Sequence, residues 1–165
     1  MQAATAVEGY RANRCHKVSE LATLVRTTRH LFLVGRGSSL AAVGTGALIL
    51  KKTSHFLAEG MSSAAFRHGP FEMLGDKTLV LVFSGEAKTR VLSGKLTEDI
   101  RDQGGGAELI GEDGALEFCR LADRGSLVRP VLEILPIQML TLSLAALRGC
   151  EAGRFVRATK GTTME

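Results

Sequence analysis

Aromatic residues are scarce in this sequence: tryptophan is absent, and there are one tyrosine and seven phenylalanines among 165 residues. Proteins that bind single-stranded nucleic acid stack bases on aromatic side chains, so this composition gives little support to a nucleic-acid partner. The net charge of +4 has the sign that attracts phosphate, but basic and acidic residues are mixed along the whole chain. We therefore expect a small anionic ligand rather than a polymer.

Cysteine is also rare, and its spacing fits neither a disulfide framework nor a metal site. Cys15, Cys119 and Cys150 are odd in number and form no CxxC pair. We expect no metal and no other cofactor, and a reducing, cytoplasmic compartment.

Long hydrophobic runs are missing as well. The longest apolar stretches, at residues 39–50 and 137–147, fall short of the roughly 18 residues that a membrane span needs. No signal peptide is recognised at the start of the sequence. We expect a cytoplasmic protein with no membrane partner.

The sequence does contain a regular alternation of short apolar runs and helical patterns. The predicted strands are residues 31–34, 78–83, 107–110 and 131–135, and the predicted helices are 5–28, 39–50, 86–103, 115–122 and 136–148. This βαβ alternation predicts parallel strands buried between two helical layers, which is a three-layer α/β/α sandwich. We expect one domain over residues 31–165, with a tail at 150–165, preceded by a linker-like helix within residues 1–30.

Small polar residues follow two of the predicted strands, in the segments GRGSS and SGEAKT. Ligands of parallel sheets bind beyond the carboxyl ends of the strands, and hydroxyl groups with helix-start amides suit a phosphate monoester without a metal. Two structural alternatives stay open: close packing of two backbones at the glycines, and helix capping by the hydroxyls. The candidate ligand-binding residues are Gly35, Gly37, Ser38, Ser39, Ser84 and Thr89.

His68 lies in the segment FRHGP, where the glycine and proline that follow make a position inside a helix unfavourable. A histidine there can exchange a proton with a ligand near neutral pH. A structural histidine bonded to the backbone is the alternative.

The run from Gly35 to Pro70, above all AEGMSSAAFRHGP, resembles the sugar isomerase (SIS) domain family, and the closing GRFVRATKGTTME resembles the terminal segment of its members. The resemblance is narrowest to the C-terminal SIS domain of the isomerase part of glucosamine-6-phosphate synthases and their glutaminase-free relatives. It implies a flavodoxin-like sheet and a small-molecule sugar phosphate as ligand. It also implies an aldose–ketose isomerase, or an aminotransferase-like isomerase or deaminase of amino-sugar phosphates.

The resemblance assigns roles to three residues. His68 matches the histidine that assists ring opening, and Lys160 matches the terminal lysine that binds the sugar. Lys52 stands where the family has its proton-moving glutamate, which exchanges a carboxylate for an ammonium group. That exchange favours an alternative to an enzyme: a non-catalytic phosphosugar-binding or regulatory module, or a truncated fragment.

The resemblance also implies a partner. Relatives carry an earlier SIS domain whose Ser/Thr loop holds the sugar phosphate, whereas this sequence contains one such domain. We expect a homodimer or pairing with a separate first SIS domain.

Overall fold

The computed structural model describes residues 2–154. Its four strands are β1 (His30–Gly35), β2 (Ala58–Ser62), β3 (Thr78–Phe83) and β4 (Gly106–Ile110). Its six α-helices are α1 (Gln2–Arg11), α2 (Arg14–Leu24), α3 (Ser39–Thr53), α4 (Ser63–Arg67), α5 (Ala87–Asp102) and α6 (Arg129–Leu147). Two short 3₁₀ helices cover Pro70–Met73 and Glu117–Cys119.

The sheet is parallel, in the order β2-β1-β3-β4. The first strand lies in the middle and the chain moves outward from it in both directions, as in flavodoxin-like sheets. In this register Leu31 of β1 is level with Ala58 of β2 and with Leu79 of β3.

Alternate side chains of each strand face opposite helical layers, because successive side chains of a strand point to opposite faces. On one face Leu33 and Leu81 pack with buried residues of α2, α3 and α6. On the other face Phe32 and Val80 pack with buried residues of α4 and α5. The structure thus confirms the three-layer α/β/α sandwich.

Three predicted elements differ from the structure. The predicted strand at 131–135 is the first part of α6, which begins at Arg129 and Pro130, not at Pro136. A short apolar run fits a buried helix as well as a strand, and proline suits a helix's first turn. The predicted helix at 5–28 is divided into α1 and α2, and the predicted helix at 115–122 is reduced to the 3₁₀ helix Glu117–Cys119.

The edge strand β2 was not predicted. Its sequence AEGMS holds a glutamate, a glycine and a serine, which have low strand propensity. Its partner is the fully apolar middle of β1, so register with a neighbour decides the strand here. Gly60 lets β2 approach α3 closely, since an added Cβ would lie 2.5 Å from Val43 O.

Helices α1 and α2 pack on the same core as the rest of the fold. Tyr10, Leu21 and Val25 are buried in the cluster that covers one face of the sheet. The hydroxyl of Tyr10 donates a hydrogen bond to Phe118 O at 2.7 Å. The segment predicted as linker-like therefore contributes to the domain's packing.

Helix α6 requires a correction to the expectation about hydrophobic length. Its 19 residues are long and apolar enough, by length and composition, to cross a membrane. Most of the helix is nonetheless buried against the remainder of the fold, as is usual for a core helix.

Candidate functional site

Two loops meet at the carboxyl ends of β1 and β3, the point where the strand order reverses. Gly37 in the loop after β1 and Gly85 in the loop after β3 both have positive φ, at 55° and 69°. An added Cβ on Gly37 would lie 3.3 Å from Glu86 Oε1, and one on Gly85 would lie 3.7 Å from Arg36 O. The GRGSS and SGEAKT segments thus lie side by side at a position where parallel sheets commonly bind ligands.

The loop after β1 holds hydrogen-bonding groups that the described protein does not use. Arg36 Nε and Ser38 Oγ are buried and have no hydrogen-bond partner among residues 2–154. Buried polar groups are nearly always paired, so these two atoms are candidate donors to a ligand. A guanidinium N–H and a hydroxyl are both suitable donors to a phosphate oxygen.

The start of α3 partly corrects the expectation of free amides at this helix. The amide N–H groups of Ser39, Leu40 and Ala41 donate to the carbonyl oxygens three residues earlier. They are therefore occupied in a tight first turn. Among the side chains of this loop, Arg36 Nε and Ser38 Oγ are the buried donors without a partner in residues 2–154, and they lie at the favourable end of the helix dipole.

Ser39 is fully buried and engaged inside the protein. Its hydroxyl donates to Glu133 Oε1 of α6 at 2.7 Å. Only 2% of Glu133 is exposed, and its Oε2 has no partner among the described residues. Burial raises the pKa of Glu133 to about 7, against the opposing effects of the Ser39 hydrogen bond and of Arg129.

The two hydroxyls after β3 differ in their surroundings, because Ser84 Oγ lies against Gly111 of the loop after β4. Ser84 is 2% exposed and its amide donates to Ile110 O at 2.9 Å. Thr89 Oγ1 donates to Glu86 O at 3.0 Å, so this hydroxyl stabilises the first turn of α5. The residue before α5 is Glu86, which makes no side-chain cap, and its carboxylate pairs with Lys88 at 2.9 Å. Neither hydroxyl caps α5, because Thr89 donates to a carbonyl oxygen and the first turn of α5 has no side-chain cap.

His68 is exposed and ends α4. The start of that helix is tied to β1, because the Ser63 hydroxyl donates to Gly35 O at 3.3 Å. The helix is one turn and a half long, so His68 is placed about 8 Å beyond that anchor. Within residues 2–154 the His68 side chain makes no hydrogen bond to the backbone, and only its own amide donates, to Ala65 O, so the described structure does not support the structural alternative.

Lys52 is not brought to the loops. It is exposed in the last turn of α3, thirteen residues after Ser39, which corresponds to about 20 Å along the helix axis. Lys160 lies outside the described residues.

Two residues of this site were not predicted as candidates. Arg36 stands within the GRGSS segment, where its charge is a visible signal. Glu133 is the single acid in the apolar stretch of α6 between Arg129 and Arg148, and a lone carboxylate on a core helix is a signal that was available. Among residues 2–154 no group of three or more metal-ligating side chains is found.

Known proteins resemble this chain in sequence. Residues 24–98 match the family model described as SIS domain. The chain is 30% identical to the glutamine–fructose-6-phosphate aminotransferase [isomerizing] of Chlorobaculum tepidum, over 90% of this chain and 25% of that protein. The enzyme of the same name from Thermococcus kodakarensis is also 30% identical, over 88% of this chain and 25% of that protein.

Solved structures share the fold. Glucosamine-6-phosphate deaminase of Thermotoga maritima superposes with a TM-score of 0.72 at 19% identity, covering 87% of this chain and 44% of that one. The C-terminal domain of glucosamine–fructose-6-phosphate aminotransferase from Francisella tularensis gives 0.71 at 20% identity, covering 88% and 45%. The chain thus spans about a quarter of these curated relatives and less than half of these structures.

Proposed function

We propose that this chain, in which residues 24–98 match the SIS domain model and which is 30% identical to a glutamine–fructose-6-phosphate aminotransferase, binds a sugar phosphate at the loops that follow β1 and β3. The observation that carries the proposal is the pair of buried, unpartnered donors, Arg36 Nε and Ser38 Oγ, beside the Gly85 loop. In this assignment they donate to the phosphate. The carboxylate of Glu86, which lies against the same loop, accepts from sugar hydroxyls.

Gly85 supplies the test, because its conformation keeps the two loops together. Gly85→Ala places a Cβ 3.2 Å from Thr89 Oγ1 and imposes a left-handed backbone on alanine, at a cost of about 1–2 kcal/mol. We expect the affinity for fructose 6-phosphate, measured by calorimetric titration, to fall at least about tenfold, since one misplaced phosphate donor is worth about that much.

Gly104→Ala is the matched control. Gly104 has φ of 80° and open space around an added Cβ. It precedes β4, so it lies at the amino ends of the strands, whereas the two loops lie at the carboxyl ends. It imposes similar backbone strain away from the loops, so its affinity is expected to stay within about twofold of the wild type. Equal losses in both variants would show that general destabilisation, and not the loop, controls binding.

We further propose that the complete site belongs to a SIS-domain isomerase of sugar phosphates or amino-sugar phosphates. In this proposal His68 assists opening of the sugar ring and Lys160 binds the sugar, as the resemblance implies. The exposed position of His68 at the end of α4 is compatible with a ligand that also contacts another domain.

A second candidate function is favoured by Lys52. With a lysine at the position of the family's glutamate, the chain would bind a sugar phosphate without moving its proton. Proton exchange with solvent into bound fructose 6-phosphate supports the isomerase, and saturable binding without exchange supports the binding module. Lys52→Glu is the control, because the distance of Lys52 from the loops, about 20 Å along α3, predicts affinity within about twofold of the wild type.

We also propose that the domain pairs with a second SIS domain, either in a copy of itself or on another chain. The outer faces of α3 and α6 carry four large apolar residues that are 43–54% exposed: Leu40, Leu48, Val131 and Leu142. Exposed apolar patches of this kind are typical of protein interfaces. A single monomeric species in sedimentation of the purified chain would exclude the homodimer.

A further inference from the structure

Glu133 is a buried acid beneath the loop after β1, and nothing in the proposed binding role uses it. Its Oε1 accepts the hydrogen bond of Ser39, the first residue of α3. Its Oε2 is buried without a partner in the described part of the chain. The carboxyl group therefore lies at the same helix end that the anion would approach.

The surroundings of Glu133 leave its charge poorly compensated. Helix α3 presents only the uncharged Ser39, because its charged residues, Lys51 and Lys52, are in its last turn. A cavity of about 10 Å³ adjoins Glu133 at the carboxyl ends of β3 and β4. Its other lining residues include Ser84, Gly111 and four charged side chains: Glu112, Asp123, Arg124 and Arg129.

The positive charge of Arg129 lowers the pKa of Glu133, but the Arg129 guanidinium pairs with another acid. Arg129 Nη2 lies 3.0 Å from Asp123 Oδ1. Asp123 also lies 3.8 Å from Arg90 Nη2, so it is shared between two arginines. Burial then raises the pKa of Glu133 to about 7, which places its change of charge near neutral pH.

We infer that Glu133 is a specificity-determining residue that makes the loops bind a dianion when its carboxyl is protonated and repel it when ionised. The inference rests on the proposed anion site of these loops. A protonated carboxyl leaves the helix end free to favour the ligand, whereas a carboxylate offsets the helix dipole and repels a second negative charge nearby.

The expected size of the effect follows from the repulsion between two negative charges, one on the Glu133 carboxylate and one on the bound anion. At the effective dielectric of partly buried sites, such a pair changes affinity by about tenfold or more. The Ser39 hydroxyl can donate to the carboxyl of Glu133 in either protonation state, so it holds this carboxyl at the start of α3. Glu133 thus acts from behind the loop without contacting the ligand.

Inorganic sulfate is the probe, because it remains a dianion throughout the neutral range while phosphate esters change charge. Sulfate affinity is measured by calorimetric titration at about pH 5.5 and about pH 8.5, for the wild type and Glu133→Gln. We expect wild-type affinity to fall about tenfold between the two, and that of Glu133→Gln to change less than about threefold. Glu98→Gln, an exposed acid on α5, is the matched control and is expected to behave as wild type.

Each outcome decides the matter. A pH dependence that persists in Glu133→Gln would assign it to another group, such as the exposed His68, and would overturn the inference while leaving the anion site intact. Equal affinity of the wild type at both pH values would do the same. Absence of sulfate binding at both pH values would contradict the proposed function, and the inference with it.

A measurement on the unaltered protein guards against misfolding of the variant. Coupling between two sites is reciprocal, so a tenfold effect of Glu133 ionisation on sulfate must appear as a shift of one pH unit in the Glu133 titration. The side-chain carboxyl carbon of Glu133, followed by NMR, is expected to titrate about one pH unit higher with saturating sulfate. An unchanged midpoint with sulfate bound would overturn the inference.

Discussion

Raising the pH from about 5 to about 8 is expected to remove about 2.5 kcal/mol from the free energy of unfolding of the wild type relative to Glu133→Gln. Burial raises the pKa of Glu133 from 4.5 to about 7 in the folded protein. At pH values between 4.5 and about 7, Glu133 holds a proton in the folded state that it has released in the unfolded state. This contribution is complete below the unfolded pKa and is lost as the pH rises through the folded pKa.

The difference in free energy of unfolding between the wild type and Glu133→Gln reports on the carboxyl group of Glu133. Asp99, Asp123 and Glu117 have lowered pKa values, so their contributions are lost in acid, in the opposite direction. They are shared by both proteins and cancel. Urea unfolding of the wild type, Glu133→Gln and the control Glu98→Gln across this range provides the measurement. Parallel profiles for all three would show that Glu133 is ionised at neutral pH in the folded protein.

Phe66→Ala is expected to lower the free energy of unfolding by about 3–5 kcal/mol, the range for large aromatic truncations in a core. Phe66 is fully buried at the centre of the layer formed by α4 and α5. Its ring packs edge-on against Phe32 of β1 at 5.4 Å and against Phe71 at 5.9 Å. The substitution therefore opens a cavity and removes two aromatic contacts.

Leu57→Ala is the control for this substitution, because Leu57 is 70% exposed just before β2. Its expected cost is less than about 0.5 kcal/mol in the same urea unfolding. A cost below about 1 kcal/mol for Phe66→Ala would mean that α4 is not packed on β1. The anchoring of His68 to the strand ends would then be lost as well.

The layers of this fold were predictable because its central strands are continuous apolar runs. LFLV and TLVLVF have the composition of strands buried on both faces, and each precedes a glycine-rich turn. The edge strand β2 and the start of α6 were not predictable in the same way. The first depends on pairing with β1, and the second is an apolar run that packing, not local preference, turns into a helix.

The candidate site was predictable at the level of loops but not of side chains. Strand ends in a parallel sheet lie at one edge, so GRGSS and SGEAKT were expected to be neighbours. Which hydroxyls are free depends on contacts distant in sequence: Ser39 is engaged by Glu133, 94 residues away, while Ser38 remains unpartnered. Local sequence carries no signal for such a pairing.

Sugar-phosphate binding by the purified chain is the most direct test of the central claim, and calorimetric titration with fructose 6-phosphate and with fructose measures it. Arg36 and Ser38 supply donors for a phosphate, so the account predicts saturable binding of fructose 6-phosphate that Gly85→Ala weakens at least about tenfold, and no detectable binding of fructose. Equal binding of both sugars, or binding of neither, would contradict it.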